Sequence, residues 1–354
     1  MATEVLPDER ALRFGRRQRA FAQMEAHDLD VLVLGRVANM RYVSGVPVLW
    51  NAGTRPFGPG CIAVRSTGEI HLLSTWDEGV PEEIPHENLY GITWNPMNYV
   101  KVLKIINAAV EPRRVGTDAM SPLFAQLLPM AFPNADLVDA GPAMQAAKRV
   151  KTSEEIEAIR AAVEVTDACL SASVAELRPG ASERDLTAAF MDAMASRGVT
   201  TPARQDVARF TSPELVAFSA GVVADGYTAE VGRTWPVAGT GNGLFKRCDE
   251  VLTRLLGACQ PGAHGSELLD AYAASGEPLP ATPIARGLGL GFDDPVIVRD
   301  LPETAARERL QAGMVLAVTA CVSDDSGTVV AQEPVLITDD GSEVLSSSPF
   351  PERS

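Results

Sequence analysis

Glu230 and Arg286 are the residues whose chemistry is easiest to combine. One is a carboxylate inside the run Ser219-Ala-Gly-Val-Val-Ala-Asp-Gly-Tyr-Thr-Ala-Glu-Val-Gly-Arg-Thr-Trp235, the other a guanidinium at the head of the turn Arg286-Gly-Leu-Gly-Leu290. An arginine forks naturally onto a carboxylate, whether that group belongs to the protein or to a ligand. A partly desolvated Glu230 could serve as a general base, while Arg286, the Thr319 hydroxyl and the Gln332 amide could orient a substrate or hold developing negative charge. The bland alternative is a buried Arg–Glu pair that fills space and specifies a fold without any reaction. Arg204 and Arg209 make the stretch 201–209 basic in an acidic protein, which suits an anionic ligand or is simply surface charge. Histidine, the commonest general base, is scarce: His27, His71, His86 and His264, the last after a Pro-Gly turn where a helix is expected to begin.

Composition narrows the partners. A net charge of −15 disfavours nonspecific binding to nucleic acid or to an anionic membrane, so a small-molecule or peptide ligand is the expected partner. No apolar run approaches a membrane span, and the charge-rich first 20 residues carry no signal-peptide core, so the expected location is the cytoplasm. Cys61, Cys169, Cys248, Cys259 and Cys321 are scattered without a C-x-x-C pair, which points to buried apolar side chains rather than to disulfides or thiolate metal sites.

The elements that must position these groups follow from periodicity. In the first half, a helical pattern over 10–27, a buried-strand run over 29–35 and a hairpin around Thr67-Gly68 precede helices near 99–109 and 122–128, with a strand at 114–117 between them. A small sheet with helices on its faces is expected. A boundary falls near Lys148 to Lys151, dividing the chain into domains 1–150 and 151–354. Thr152-Ser-Glu-Glu155 and Ser182-x-x-Asp185 then read as capping boxes opening two helices, and a third helix covers about 244–258. Strands are expected over 215–220, 228–237, 314–322 and 329–338, giving helices outside a curved antiparallel sheet.

The order of Asp225-Gly-Tyr227, Arg233-Thr-Trp235, Arg286-Gly-Leu-Gly-Leu290, Gly313-Met-Val315 and Val335-Leu-Ile-Thr338 resembles the pita-bread metallopeptidase superfamily, which includes aminopeptidase P, prolidase, methionine aminopeptidase and creatinase. Asn39-Met-Arg-Tyr42-Val-Ser-Gly45 and the helix from Lys151 to Arg160 resemble the creatinase-type N-terminal half. The resemblance implies an α/β N-terminal creatinase-like domain, an α+β pita-bread C-terminal domain and a homodimer. In dimeric relatives the N-terminal domain reaches the neighbouring pocket, so Trp50 and the loop 53–60, with Arg55, Pro56 and Phe57, are expected to shape the ligand site.

Peptidases of that superfamily hold two divalent ions through two aspartates, a histidine and two glutamates. Matched motif by motif, those positions fall on Ser219, Glu230, Arg286, Thr319 and Gln332, with Glu333 beside the last. One carboxylate, two hydroxyls, an amide and a cation are a poor set for two divalent cations, and a guanidinium has no lone pair to give. Asp225, Asp293, Asp294 and Glu333 stand close enough in sequence to be weighed as substitutes, although strand alternation sends Gln332 and Glu333 to opposite faces. The resemblance thus implies a scaffold whose metal ligands are replaced, with no metal and no cofactor. Three functions follow. The first is metal-independent hydrolysis or elimination on a small anionic molecule, with Glu230 and Arg286 catalytic and Ser219, Tyr227, Arg204, Arg209, Thr319, Gln332 and Glu333 binding substrate. The second is a non-catalytic protein that binds a peptide, metabolite or protein. The third is an Xaa-Pro aminopeptidase or prolidase.

Overall fold

The computed structural model describes residues 8–46, 60–73, 79–91, 95–118, 121–238, 243–291, 293–300 and 308–351. Two compact units emerge, one over Asp8–Lys148 and one from Arg149 onward.

The first unit runs α1 (Glu9–Ala26), β1 (Val31–Leu34), α2 (Val37–Ser44), β2 (Cys61–Val64), β3 (Ile70–Leu73), β4 (Leu89–Tyr90), α3 (Pro96–Val110), β5 (Arg114–Thr117), α4 (Pro122–Ala131), β6 (Asp136–Asp139) and α5 (Gly141–Arg149). Its six strands lie in the order β4-β3-β2-β1-β5-β6. Pairing is parallel between β1, β5 and β6 and between β3 and β4, and antiparallel between β1 and β2 and across the β2–β3 hairpin. Every residue of β1 is buried, as its unbroken apolar run requires of a central strand. The Asn39–Tyr42 motif lies in α2, where Asp118 at the end of β5 pins the helix start. Asp118 Oδ1 accepts from the Gly35 N–H at 2.7 Å, and Oδ2 accepts from Asn39 Nδ2 at 2.7 Å. Trp50, Arg55, Pro56 and Phe57 lie outside the described residues.

The second unit opens on the two capping boxes, Thr152 with Glu155 starting α6 (Ser153–Ala175) and Ser182 with Asp185 starting α7 (Glu183–Ala195). Then come β7 (Ala208–Ser212), β8 (Leu215–Ala224), β9 (Tyr227–Pro236), α8 (Gly243–Ala258), α9 (Gly265–Ala273), β10 (Ala285–Gly287), β11 (Asp293–Ile297), β12 (Val315–Asp324), β13 (Gly327–Ile337) and β14 (Ser342–Val344). His264 is the N-cap of α9, its backbone N–H bonded to Glu267 at 2.8 Å. The antiparallel sheet runs β11-β10-β12-β13-β9-β8-β7, with β14 on β13. One face carries Leu316, Val318 and Ala320 of β12 and Ala331 and Val335 of β13 into a core with Phe245, Val251 and Leu255 of α8. Helix α6 packs on β8 and β9.

Burial pushes the thiols of Cys61 and Cys259 up to about 12, and raises those of Cys248, Cys169 and Cys321. Since the thiolate is the nucleophile, Cys61, Cys248 and Cys259 should resist a thiol reagent in native buffer, and all five cysteines should react in denaturant. Fast native labelling of Cys248 would show that the core under α8 opens.

Candidate active site

Strand register assembles the site. Residues directly opposite one another on antiparallel strands share a face. Ser219 of β8 opposes Gly232 of β9, Gly232 opposes Gln332 of β13, and Gln332 opposes Thr319 of β12. Along the same face Gly221 opposes Glu230, and Arg286 of β10 opposes Ala317, two residues before Thr319. Alternation therefore sets Ser219, Glu230, Arg286, Thr319 and Gln332 on one side of the sheet. A Cβ on Gly232 would lie 2.7 Å from that of Gln332, so only glycine lets β9 and β13 meet here. Gln332 Nε2 donates to Thr319 Oγ1 at 2.9 Å.

Arg286 Nη2 meets Glu230 Oε1 in an ion pair. Both residues are buried, at 7% and 5% exposure, so their attraction is poorly screened. The second carboxylate oxygen differs. Glu230 Oε2 is buried without a hydrogen-bond partner, and Arg204 Nη2 lies 3.8 Å from it.

Arg204 reaches Glu230 from a bulge. Pro202 bridges Val222, the Ala203 N–H donates to the Gly221 carbonyl at 2.9 Å, and the Ser219 N–H donates to the Val207 carbonyl at 2.7 Å. Residues 203–207 thus span only 219–221 on β8, which forces 204–206 outward. Gly221 permits the approach, since a Cβ there would lie 2.9 Å from the Ala203 Cβ and 3.2 Å from Glu230 Cγ. The Arg204 side chain remains 51% exposed.

Three expected substrate-binding residues fall elsewhere. Tyr227 stands three residues from Glu230 on the same strand and so faces the other side; fully buried, it donates its hydroxyl to Glu155 Oε1 at 3.1 Å. Glu333 also faces away from Gln332, where it pairs with Arg233 at 2.8 Å. Arg209 opposes Ala217 and so shares the Ser219 face, but it stays exposed on the edge strand β7, where it lines an open surface pocket of about 510 Å³ with Glu183, Arg184 and Asp206. The other weighed carboxylates have partners of their own. Asp293 pairs with Lys151 at 3.1 Å, Asp294 lies 3.9 Å from Arg149, and Asp225 occupies the β8–β9 turn with φ +46° beside Gly226 at +85°.

Behind the site lies a clip that no motif in the sequence announces. Arg233 Nη1 donates to the carbonyls of Gly232 and Gln332 at 2.8 and 2.9 Å, tying together the one residue pair that joins β9 to β13 in register. Its Nη2 reaches the Ser348 carbonyl at 2.9 Å, and Asp167 of α6 holds Ser346, Ser347 and Ser348 through their hydroxyls at 2.6–3.0 Å. The serine run 346–348 was the available signal.

The profile of metallopeptidase family M24 matches residues 157–339, and that of the creatinase/prolidase N-terminal domain matches 16–161. The chain belongs to family M24. An uncharacterized hydrolase/peptidase of Sinorhizobium fredii is 23% identical to this M24 protein, covering 98% of this chain and 97% of that one. Among solved structures, prolidase from Pyrococcus horikoshii superposes with a TM-score of 0.75 at 17% identity, covering 95% and 99% of the two chains. Xaa-Pro dipeptidase from Bacillus anthracis gives 0.77 at 15% identity, covering 96% and 98%. These likenesses carry the fold, a creatinase-like α/β unit with a mixed sheet followed by the M24 unit with its antiparallel sheet. No helix among the described residues is long and apolar enough to cross a membrane.

Proposed function

We propose that this M24 protein is a metal-independent enzyme that performs hydrolysis or elimination on a small anionic molecule, with Glu230 moving the proton and Arg286 holding negative charge. The observation that carries the reading is the buried Arg286–Glu230 ion pair. A dinuclear centre needs several anionic oxygens to offset the repulsion between two cations. The face offers one carboxylate, and a guanidinium already occupies one of its oxygens; two hydroxyls and an amide complete the set. The donors present therefore do not fit the two-ion centre that the superfamily implies. The neighbouring carboxylates that could have compensated are engaged by Lys151, Arg149 and Arg233 or sit in a turn.

In this reading Glu230 Oε2, free of any hydrogen-bond donor, accepts the proton, and Arg286 stays fixed against the other oxygen so that no reorganisation accompanies charge development. Arg204 adds a second positive charge at the rim, which favours an anionic substrate. The M24 relatives named prolidase and Xaa-Pro dipeptidase make cleavage of a C–N bond the reaction to test first. The same closed ion pair also suits a pocket that binds without reacting, and turnover separates the two readings. Glu230→Gln should abolish turnover on an amide and amidine panel while leaving the circular dichroism spectrum intact, at a lowered melting temperature because buried Arg286 loses its counter-charge. Mass spectrometry after incubation with manganese, cobalt and zinc and desalting should find no retained ion. Unchanged turnover in the variant, or a dinuclear metal stoichiometry, overturns the proposal.

A further inference from the structure

We infer that the cleft between α7 and the edge strand β7 is a second ligand site, independent of the chemistry at Glu230. It binds a phosphomonoester that carries hydroxyl groups, with the phosphate on Arg184 and Arg209 and a hydroxyl on Asp206. The cleft has a volume of about 510 Å³, enough for a ligand of sugar-phosphate size. Arg184 stands in the first turn of α7 and Arg209 on β7, so two separate elements bring the guanidiniums to one space. Among the described residues neither arginine makes an ion pair, although Glu183 and Asp206 border the same cleft. Exposed arginines elsewhere in this unit do find carboxylates: Arg160 meets Glu343 at 2.6 Å, Arg178 meets Glu176 at 2.7 Å and Arg247 meets Glu277 at 2.7 Å. Glu183 is engaged otherwise, since its Oε1 accepts from the Phe210 N–H at 2.7 Å. Asp206 rides on the bulge, whose ends the Ala203 N–H and the Val207 carbonyl fasten to β8. Two cations without a counter-charge, in a chain of net charge −15, mark the place of an external anion.

A phosphomonoester fits this donor set better than a carboxylate. It carries close to two negative charges and three strong acceptor oxygens, against one charge and two oxygens, so each guanidinium takes a fork of its own. A backbone donor adds to them. The Phe210 N–H points away from β8 to reach Glu183, and alternation turns the Ala208 N–H, two residues earlier, the same way, toward the cleft that Ala208 lines. Asp206 repels a bare anion and calls for donors, because an ionised carboxylate only accepts hydrogen bonds. Hydroxyl groups beside the phosphate supply them, and Gln205 and Thr187 can pair with others. A nucleotide base finds no platform, since no aromatic or long apolar side chain lines the cleft.

Isothermal titration of the intact protein at low ionic strength with glucose 6-phosphate, glucose, inorganic phosphate and AMP tests this. Glucose 6-phosphate should bind about tenfold or more tightly than each of the others. Arg184→Gln and Arg209→Gln should each reduce its affinity about tenfold or more. The melting temperature should not change in either variant, as both side chains are exposed and unpaired. Asp206→Asn should narrow the gap between glucose 6-phosphate and inorganic phosphate, because removing the like charge strengthens the bare anion. No detectable binding of glucose 6-phosphate, equal affinity for inorganic phosphate or AMP, or arginine variants that bind as well as the parent overturns the inference. A loss confined to Arg204→Ala, with Arg184→Gln unaffected, would put the sugar phosphate beside Glu230 and overturn it too. Neither metal content nor the turnover of Glu230→Gln enters these titrations, so the cleft and the reading of the central pocket fail separately.

Discussion

Exchanging Lys151 for methionine will lower the stability of the M24 unit by about 3–5 kcal/mol, the cost of leaving one member of a buried ion pair uncompensated. The Lys151 and Asp293 side chains are 1% and 2% exposed and meet at 3.1 Å, so neither solvent nor salt screens them. The lysine also donates to the Arg149 carbonyl at 3.4 Å, where the chain turns toward α6. The pair does more than join two elements. The Asp293 carbonyl lies under Gly287, where an added Cβ would come within 2.6 Å of it, so anchoring Asp293 fixes the backbone immediately after Arg286. Removing both charges should be far milder than removing one: Lys151→Met with Asp293→Leu should recover most of the loss, because the penalty lies in the stranded carboxylate. Urea unfolding with an unchanged m-value is the measurement. A single-variant loss below about 1 kcal/mol would show that water reaches the pair.

Local signals in the sequence carried far, and long-range ones did not. Thr152 with Glu155 and Ser182 with Asp185 announce their helices because a capping box is a four-residue device that uses no distant partner. Strand parity separates Gln332 from Glu333 before any coordinates exist, and the structure puts Glu333 with Arg233 on the far face. The same parity excludes Tyr227, an odd step from Glu230, yet its place in a recognisable hairpin motif outweighed that count. By contrast, the Arg233–Glu333 pair joins residues 100 apart, and the Asp118 hold on α2 spans 79 to 83 positions; no periodicity encodes either. Arg204 was visible as a basic residue, whereas its approach to Glu230 depends on a bulge that only the hydrogen-bond register reveals. Helix α5, which starts at Gly141-Pro142, also escaped, although proline at the first turn is a legible start signal.

Arg286→Met will be the second most damaging change, toward the lower end of about 3–5 kcal/mol. As with Lys151, the change strands a buried carboxylate, with one difference that sets the size. Glu230 stranded in a 5% exposed position still has Arg204 within 3.8 Å, and that guanidinium, half in solvent, can close on either oxygen. Arg286→Met with Arg204→Ala should therefore lose more than the sum of the two single changes, the signature of two arginines sharing one carboxylate. Adding Glu230→Gln to Arg286→Met should restore stability, because a neutral amide needs no counter-charge. Arg286→His gives the sharpest contrast with metal-binding relatives. An imidazole would return a lone pair to this position, but the face would still present one carboxylate beside Ser219, Thr319 and Gln332, so the variant should retain no ion after desalting. If instead that single exchange creates metal binding, the guanidinium alone kept ions out, and the polar replacements at the other positions are compatible with coordination.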